Sequence, residues 1–236
     1  MRTKTLMKTV GIVGGIGPES TIEYYRFIIE GFRHRQQDGS YPSIVINSVD
    51  LHRLIGWINA GDLQPFTDYL VAGVQRLADA GADFAVLAAN TAHIVFDQIR
   101  ERSKIPLISI AEATYDKARE SGLKRPGLLG TRFTMEARFY PEVFARGGLT
   151  IVTPSETERI FVNDKYFGEL LENVFLPETR DQLLTIINRM KERDGIDGLI
   201  LGGTELPLIL RDAKSDVPFL DTTRIHVARI VDELLR

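Results

Sequence analysis

Short apolar runs alternate with stretches that have helical spacing along much of the chain. The short runs predict strands at Thr9–Val13, Ser43–Ser48, Phe84–Leu87 and Pro106–Ile110. The helical spacing predicts helices from about Thr21 to Arg35 and across Asp62–Ala80, the second of which has Pro65 in its first turn and Gly81 as its stop. Strands that alternate with helices in this way are typical of an α/β fold with a parallel sheet.

The second half of the chain repeats the pattern of the first half. Three pairs of segments match in the same order and at nearly the same separation: Val10–Gly15 with Pro126–Thr131, Asp83–Asn90 with Asp197–Thr204, and Ile105–Ile108 with Val217–Leu220. A duplicated unit predicts two similar doubly wound parallel-sheet lobes, related by a pseudo-two-fold axis. The predicted lobes are 1–104 with 212–236, and 105–211. Because ligands bind beyond the carboxyl ends of parallel strands, we expect one site in the cleft between the lobes.

Two matching stretches, Leu87–His93 and Leu199–Pro207, are the expected walls of that site. Each is an apolar run that breaks into small polar residues and then opens a helix. Asn90, Thr91 and Thr204 would lie at helix N-termini, where free N–H groups and the helix dipole favour an anion such as a carboxylate. Residues of these types are also common N-caps, so a purely structural role stays open for each of them.

Composition narrows the class of protein. The chain has 236 residues, 44% of them hydrophobic and 26% charged, with a net charge of −3. The absence of a basic stripe argues against nucleic acid as a partner. No apolar run approaches the roughly 18 residues of a membrane span, and the N-terminal residues do not form a secretory signal. We therefore expect a cytoplasmic protein that does not bind membranes.

The chain contains no cysteine, which excludes disulfides, thiolate metal sites and a cysteine nucleophile. The histidines show no metal-ligand spacing, so no metal is expected. The glycine loop Gly14–Ser20 does not fit a dinucleotide fingerprint, because Pro18 and Ser20 break it and no acidic residue follows the second strand. We expect no cofactor. The glycines are better suited to letting the backbone around Gly15 and Ile16 approach a small ligand.

Taken together, these motifs make the sequence resemble the aspartate/glutamate racemase family, within the wider Asp/Glu/hydantoin racemase group. The resemblance rests on these segments: Gly14–Thr21, Ala89–His93, Gly130–Met135, Leu201–Pro207 and Asp221–His226. It implies two α/β lobes, a homodimer and a racemase-type isomerase that works without pyridoxal phosphate. The implied ligand is a small amino acid or a dicarboxylate. The residues implied to bind it are Gly15, Ile16, Arg53, Asn90, Thr91, Thr131, Thr134, Lys165 and Thr204.

The chain departs from the family pattern at the two catalytic positions, Ala89 and Gly203, where the family has cysteines. Racemisation removes the α-proton from one face and returns a proton to the other, so it needs a base and an acid on opposite sides. A methyl group and a hydrogen atom can do neither. Glu205 and His93, close in sequence to the missing thiols, are better candidates for proton transfer than the neighbouring threonines, whose hydroxyls are weak acids.

Three interpretations stay open at this point. The chain is a natural binding protein for an acidic amino acid or related carboxylate, without racemisation. Alternatively, it is an isomerase, lyase or hydrolase that has recruited Glu205 or His93. The third interpretation, an engineered knockout of an active racemase, fits less well because cysteine is missing from the whole chain.

Overall fold

The computed structural model describes residues 7–236, which form two compact units. The first unit ends at Ser109 and is completed by His226–Arg236, and the second is Ile110–Ile225. Each unit has a parallel sheet with helices around it, which confirms the α/β fold class. Across residues 7–236, none of the helices is both long enough and apolar enough to cross a membrane.

From residue 7 onwards, the first unit contains three strands. They are β1 (Thr9–Gly14), β2 (Ser43–Ser48) and β3 (Phe84–Leu87). Its helices are α1 (Pro18–Arg35), α2 (Leu51–Asn59), α3 (Leu63–Asp79) and α4 (Phe96–Arg102), with a 3₁₀ helix at Thr91–Val95. The strands are parallel in the order β2-β1-β3. Helix α1 begins at Pro18, before the predicted start, because proline at the first position has a preset helical φ and needs no N–H partner.

The second unit has the same plan. Its strands are β4 (Gly127–Gly130), β5 (Leu199–Gly202) and β6 (Phe219–Asp221), parallel in the order β4-β5-β6. Its helices are α5 (Ile110–Glu120), α6 (Arg132–Glu136), α7 (Phe139–Ala145), α8 (Glu156–Gly168), α9 (Pro177–Asp194) and α10 (Leu206–Ile209), with a 3₁₀ helix at Leu170–Glu172. Helix α11 (Thr222–Leu234) begins in this unit and continues into the first.

Single bridges extend both sheets and make their strand orders equivalent. Leu107 bridges to Ala85 of β3, and Val152 bridges to Gly127 of β4, both in parallel. Each sheet therefore has an additional bridged segment, next to β3 in the first unit and next to β4 in the second. With β1 matched to β4 and β3 to β5, the two units have the same topology, as expected for a duplicated sequence.

The predicted strand Pro106–Ile110 is wrong, because only Leu107 bridges to the sheet. The Pro106 carbonyl accepts from Ala85 N and the Ile108 N–H donates to Ala85 O, at 2.9 and 3.1 Å. Pro106 has no N–H to lengthen the ladder, and α5 already begins at Ile110.

The observed units also differ from the predicted lobes at the C-terminal end. The sequence prediction placed all of 212–236 in the first lobe, whereas β6 pairs with β5 and so belongs to the second sheet. The first unit resumes only at His226. From there α11 contributes Val227, Ile230, Val231 and Leu234 to the first unit's hydrophobic core.

Candidate functional site

The glycine loop after β1 is closed by its own hydrogen bonds. The Gly15 N–H donates to Thr21 Oγ1 at 2.8 Å, so this amide is committed within the loop. The Val49 N–H donates to Gly14 O at 2.9 Å and joins the loop to the end of β2. Gly15 is buried and Ile16 is half-buried. The loop is thus a preformed surface at the carboxyl end of the first sheet.

Alanine substitutions in this loop separate backbone strain from steric conflict. Gly15 and Gly17 both have positive φ, 81° and 89°. A Cβ on Gly15 would lie 2.5 Å from Val49 O, whereas on Gly17 its nearest neighbour would be Ser20 Cβ at 3.6 Å. We expect Gly17→Ala to cost about 1–2 kcal/mol of unfolding free energy and Gly15→Ala to cost more. Urea unfolding followed by the fluorescence of Trp57, the only tryptophan, tests this. Equal losses would exclude the proposed conflict with Val49.

The loop after β3 contains the first position at which the resemblance implies a cysteine, Ala89. The Ser20 hydroxyl donates to Ala88 O at 2.8 Å, and His93 Nδ1 lies 2.9 Å from Ala89 O. Ala89 is half-buried, as is Thr91, while Asn90 is buried at the start of the 3₁₀ helix. This loop is therefore fixed on both sides of Ala89.

His93 is arranged as a neutral structural residue. It is only 1% exposed and stacks on Phe96, with ring centroids 4.8 Å apart. Because a carbonyl can only accept, Nδ1 donates its proton to Ala89 O. Burial, with a smaller contribution from His226, lowers the pKa of His93 to about 3. These features favour a role in holding the loop over a role in proton transfer at neutral pH.

His226 has a similar environment. Its Nε2 lies 3.0 Å from Ile108 O and its Nδ1 lies 2.8 Å from the Tyr24 hydroxyl. The carbonyl requires Nε2 to donate, so the Tyr24 hydroxyl donates to Nδ1. Burial lowers the pKa of His226 to about 4. His226 thus connects α11 to α1 and to the segment that ends the first unit's sheet.

The two buried histidines predict acid sensitivity of the first unit. Both take up a proton in the unfolded chain near pH 6.5 and resist protonation in the folded unit. Their contribution to stability is complete above that pH and is lost as the pH falls towards 4. We expect the unfolding free energy to decrease between pH 6.5 and 5 by up to about 1.4 kcal/mol per pH unit for each histidine.

Urea titrations at several pH values, followed by Trp57 fluorescence, measure this slope. His93→Gln removes one titrating group and keeps a donor for Ala89 O, so it should flatten the slope. His34→Gln changes an exposed histidine and is the matched control. A wild-type stability that stays constant across this pH range would contradict the prediction.

Arg53 lies on α2, after the neighbouring strand β2. Asp50 caps this helix, since its carboxylate accepts from the His52 N–H at 2.9 Å. The Arg53 guanidinium lies over the rings of Trp57 and Tyr69, 5.3 and 5.2 Å from their centroids. Arg53 is exposed. Stacking on the rings leaves its N–H groups at the edge of the guanidinium plane available to bind a carboxylate.

In the second unit, β4 and β5 end side by side, with Gly130 paired to Gly202. Thr131 follows β4 and caps α6, because its hydroxyl accepts from the Thr134 N–H at 3.3 Å. The Arg132 N–H donates to Asn163 Oδ1 at 2.9 Å. Side-chain oxygens of the protein thus already accept hydrogen bonds from these two N–H groups of the short helix α6. This geometry favours the capping role for Thr131.

Lys165 lies on α8 and pairs with Glu169 one turn later. The Thr179 hydroxyl donates to the same carboxylate at 2.5 Å. Hydrogen bonds from Lys165 and then Thr179 hold the pKa of Glu169 below its usual value. The Lys165 side chain is about one third exposed, so an incoming carboxylate would have to compete with Glu169 for it.

Gly203, the second position at which the resemblance implies a cysteine, is packed against the ring of Tyr166 from α8. A Cβ at position 203 would lie 2.7 Å from Cζ and 2.8 Å from Cε2, with the hydroxyl oxygen closer still. Real Cβ atoms essentially never approach other heavy atoms so closely. The Tyr166 ring therefore fills the space that any side chain at position 203 would require.

Tyr166 and Thr204 both bind the carboxylate of Glu205. The Tyr166 hydroxyl donates to Oε2, and the Thr204 hydroxyl donates to Oε1 at 2.9 Å. Tyr166 and Glu205 are each 5% exposed and Thr204 is 9% exposed. Burial, together with the negative charge of Glu205, holds the pKa of Tyr166 well above its usual value. Tyr166 consequently remains protonated as a hydrogen-bond donor.

The structure groups the predicted site residues within each unit. In the first unit, Gly15, Ile16, Ala89, Asn90 and Thr91 lie at the ends of adjacent strands. In the second unit, the equivalent set is Thr131, Thr134, Gly203, Thr204 and Glu205. Sequence reasoning missed Tyr166, whose only signal was its place beside Lys165. Within residues 7–236, no group of three or more histidine, aspartate or glutamate side chains is arranged to hold a metal ion.

Comparison with known proteins assigns these features to one family. The family model of Asp/Glu/Hydantoin racemase matches residues 13–230. The chain belongs to the Asp/Glu/hydantoin racemase family. This membership confirms the resemblance seen in the motifs, which likewise run from the first strand to the last helix.

Three racemase-family relatives match this chain along nearly their full lengths. The broad specificity amino-acid racemase RacX of Bacillus subtilis (strain 168) is 22% identical over 217 residues, 91% of this chain and 92% of that protein. A Yersinia pestis crystal structure provisionally assigned as an Asp/Glu racemase is 35% identical, with a TM-score of 0.90 over 98% of this chain and 100% of that one. An aspartate racemase homologue from Pyrococcus horikoshii OT3 is 32% identical, with a TM-score of 0.85 over the same shares.

Proposed function

We propose that this racemase-family chain binds a small amino acid or a dicarboxylate at its strand-end loops without racemising it by a two-thiol mechanism. The observation that carries the proposal is the packing at Gly203, where the Tyr166 ring occupies the space of a second thiol. Ala89 offers only a methyl group at the first position. We also propose that the protein works without pyridoxal phosphate and forms a homodimer. Sedimentation equilibrium tests the homodimer.

The residues retained around the two positions support ligand binding. Arg53 is exposed and stacked on two rings, so its guanidinium is held in one place and can bind a carboxylate of the ligand. Lys165 could contribute in the second unit if the ligand displaces Glu169. Asn90, Thr91, Thr131, Thr134 and Thr204 supply polar groups around these cations, while Gly15 and Ile16 supply a rigid backbone surface.

A second candidate is an isomerase, lyase or hydrolase activity through Glu205 or His93. The specific observation in its favour is the buried Glu205 carboxylate, held by two hydroxyls directly beside position 203. Both oxygens of this carboxylate are already engaged by hydroxyls, so taking up a substrate proton there would displace one of these hydrogen bonds. His93 is less suited, since its Nδ1 proton is donated to a backbone carbonyl.

One experiment separates the candidates. The protein is incubated with L-aspartate or L-glutamate in deuterated water, the α-proton signal is followed by NMR, and a thermal-shift series is run with the same ligands and with related dicarboxylates. Stabilisation without exchange supports the binding protein. Exchange that is abolished in Glu205→Gln or in His93→Ala supports recruited catalysis. If no carboxylate raises the melting temperature, the proposed ligand class is wrong.

A further inference from the structure

The buried pair formed by Tyr166 and Glu205 has unused capacity to bind a cation. Both Glu205 oxygens accept hydrogen bonds from hydroxyls, which is the pattern of an ionised carboxylate. The single hydroxyl hydrogen of Tyr166 is used in the hydrogen bond to Glu205, so the phenolic oxygen can form a further hydrogen bond only as an acceptor. The pair thus offers a negative charge and an acceptor oxygen side by side.

The charge of Glu205 lacks a cationic partner within the chain as the structure describes it. In residues 7–236, no salt bridge includes Glu205, and Lys165, on the same helix as Tyr166, is paired with Glu169. Buried carboxylates are usually paired with a cation, because hydrogen bonds alone offset only part of the cost of desolvation. A protonated amine arriving at this position would complete the pairing.

The position of the pair relates it to the ligand. The resemblance implies that position 203 lies against one face of the substrate, and the Tyr166 ring fills the space beside Gly203. A ligand on this face would therefore meet the phenolic oxygen in place of a thiol. Its α-amino group is one bond from the carbon that the thiol would have approached.

We propose that Tyr166 and Glu205 bind the protonated amino group of the ligand, so that the site selects amino acids over dicarboxylates without an amine. This inference rests on the proposed function and names its substrate class. Tyr166 and Glu205 are binding residues in this role, and no proton transfer is assigned to them. Thr204 is a positioning residue that orients the carboxylate from its other oxygen.

The test compares L-aspartate with succinate, which has the same two carboxylates and no amine, by isothermal titration calorimetry at neutral pH. We expect the wild-type protein to bind L-aspartate at least about tenfold more tightly than succinate, since a charge-assisted hydrogen bond accounts for about that factor. Glu205→Gln keeps the shape and removes the charge, so the two affinities should become similar through weaker binding of L-aspartate. Glu172→Gln, which neutralises an exposed carboxylate of the same unit, is the matched control and should keep the preference.

The outcomes distinguish this inference from the function on which it rests. Equal affinities in the wild-type protein, or a preference that survives Glu205→Gln, would overturn the amine-binding role and leave the proposed function standing. Failure of both ligands to bind would overturn both. If Glu205→Gln does not fold, Tyr166→Phe decides, because it keeps the ring and removes only the hydroxyl. An unchanged preference in Tyr166→Phe would then refute the inference, and a preference reduced several-fold would support it.

Discussion

Gly203→Ala is expected to destabilise the second unit by about 2–3 kcal/mol, the cost of overpacking a closely packed core. The added methyl would overlap Cζ and Cε2 of Tyr166. The ring cannot easily move away, because Tyr166 belongs to the hydrophobic core cluster of the unit and its hydroxyl is bound to Glu205. Both the ring packing and the buried hydrogen bond would have to shift to admit a single carbon atom.

The measurement must report on the second unit. Trp57 lies in the first unit, so hydrogen exchange of peptides from β5 and α8 is the better probe. Gly168→Ala is the matched control, because it makes the same change at the end of α8, where a Cβ would meet nothing within 4 Å. A Tyr166→Leu background should reduce the effect of Gly203→Ala. If Gly203→Ala loses no more protection than Gly168→Ala, the ring does not fill this position.

The same packing predicts that introducing a thiol at position 203 alone would not create a two-thiol site. The Cβ of Gly203→Cys meets the same ring as that of Gly203→Ala, and its sulfur needs additional space. The absence of a side chain at position 203 and the placement of Tyr166 are therefore coupled. A side chain at position 203 with Tyr166 in place would create a steric conflict. Removal of the Tyr166 ring with glycine still at position 203 would leave an unfilled space.

The local parts of the fold could be predicted from the sequence. The strands at Ser43–Ser48 and Phe84–Leu87 are confirmed with the predicted bounds, and the repeated segments correspond to β1 with β4 and β3 with β5. Phe84–Leu87 could be predicted because it is a continuous buried apolar run, as is typical of a parallel strand. Ser43–Ser48 is a half-buried to exposed strand at the sheet edge, and it could be predicted from its β-branched Ile-Val-Ile run after a turn-rich segment. The prediction of a strand at Pro106–Ile110 was wrong because the apolar pattern of this segment does not indicate where α5 begins.

The candidate site could be predicted by position and only partly by role. Residues at the strand ends lie where the repeat placed them, because topology brings the carboxyl ends of parallel strands to one edge of the sheet. The roles depend on partners that are distant in sequence. Nothing in the segment around Gly203 indicates that Tyr166, on a different helix, occupies its space. Similarly, only the structure shows that Lys165 pairs with Glu169. It also shows that the Thr131 hydroxyl accepts a hydrogen bond from the Thr134 N–H.

We expect Ala89→Cys to introduce exchange of the α-proton of aspartate with solvent deuterium, about 10²- to 10⁴-fold above the wild-type rate, the range for one positioned acid–base group. Ala89 is half-buried, so a thiol there is not enclosed by the core. The hydrogen bonds to the carbonyls of Ala88 and Ala89 hold the loop in place, so the new side chain has a defined position.

The exchange should occur without racemisation. A single thiolate reaches one face of the α-carbon, so it removes the proton from one enantiomer and returns deuterium to the same face. No second thiol is available to protonate the opposite face, because the chain has no cysteine of its own. Tyr166 is a poor proton donor, because burial and the charge of Glu205 hold its pKa well above its usual value. NMR of the α-proton combined with chiral chromatography separates the two events, and Ala89→Ser is the matched control. Racemisation by Ala89→Cys would show that a group on the second face donates protons. The absence of exchange would show that the ligand does not approach Ala89.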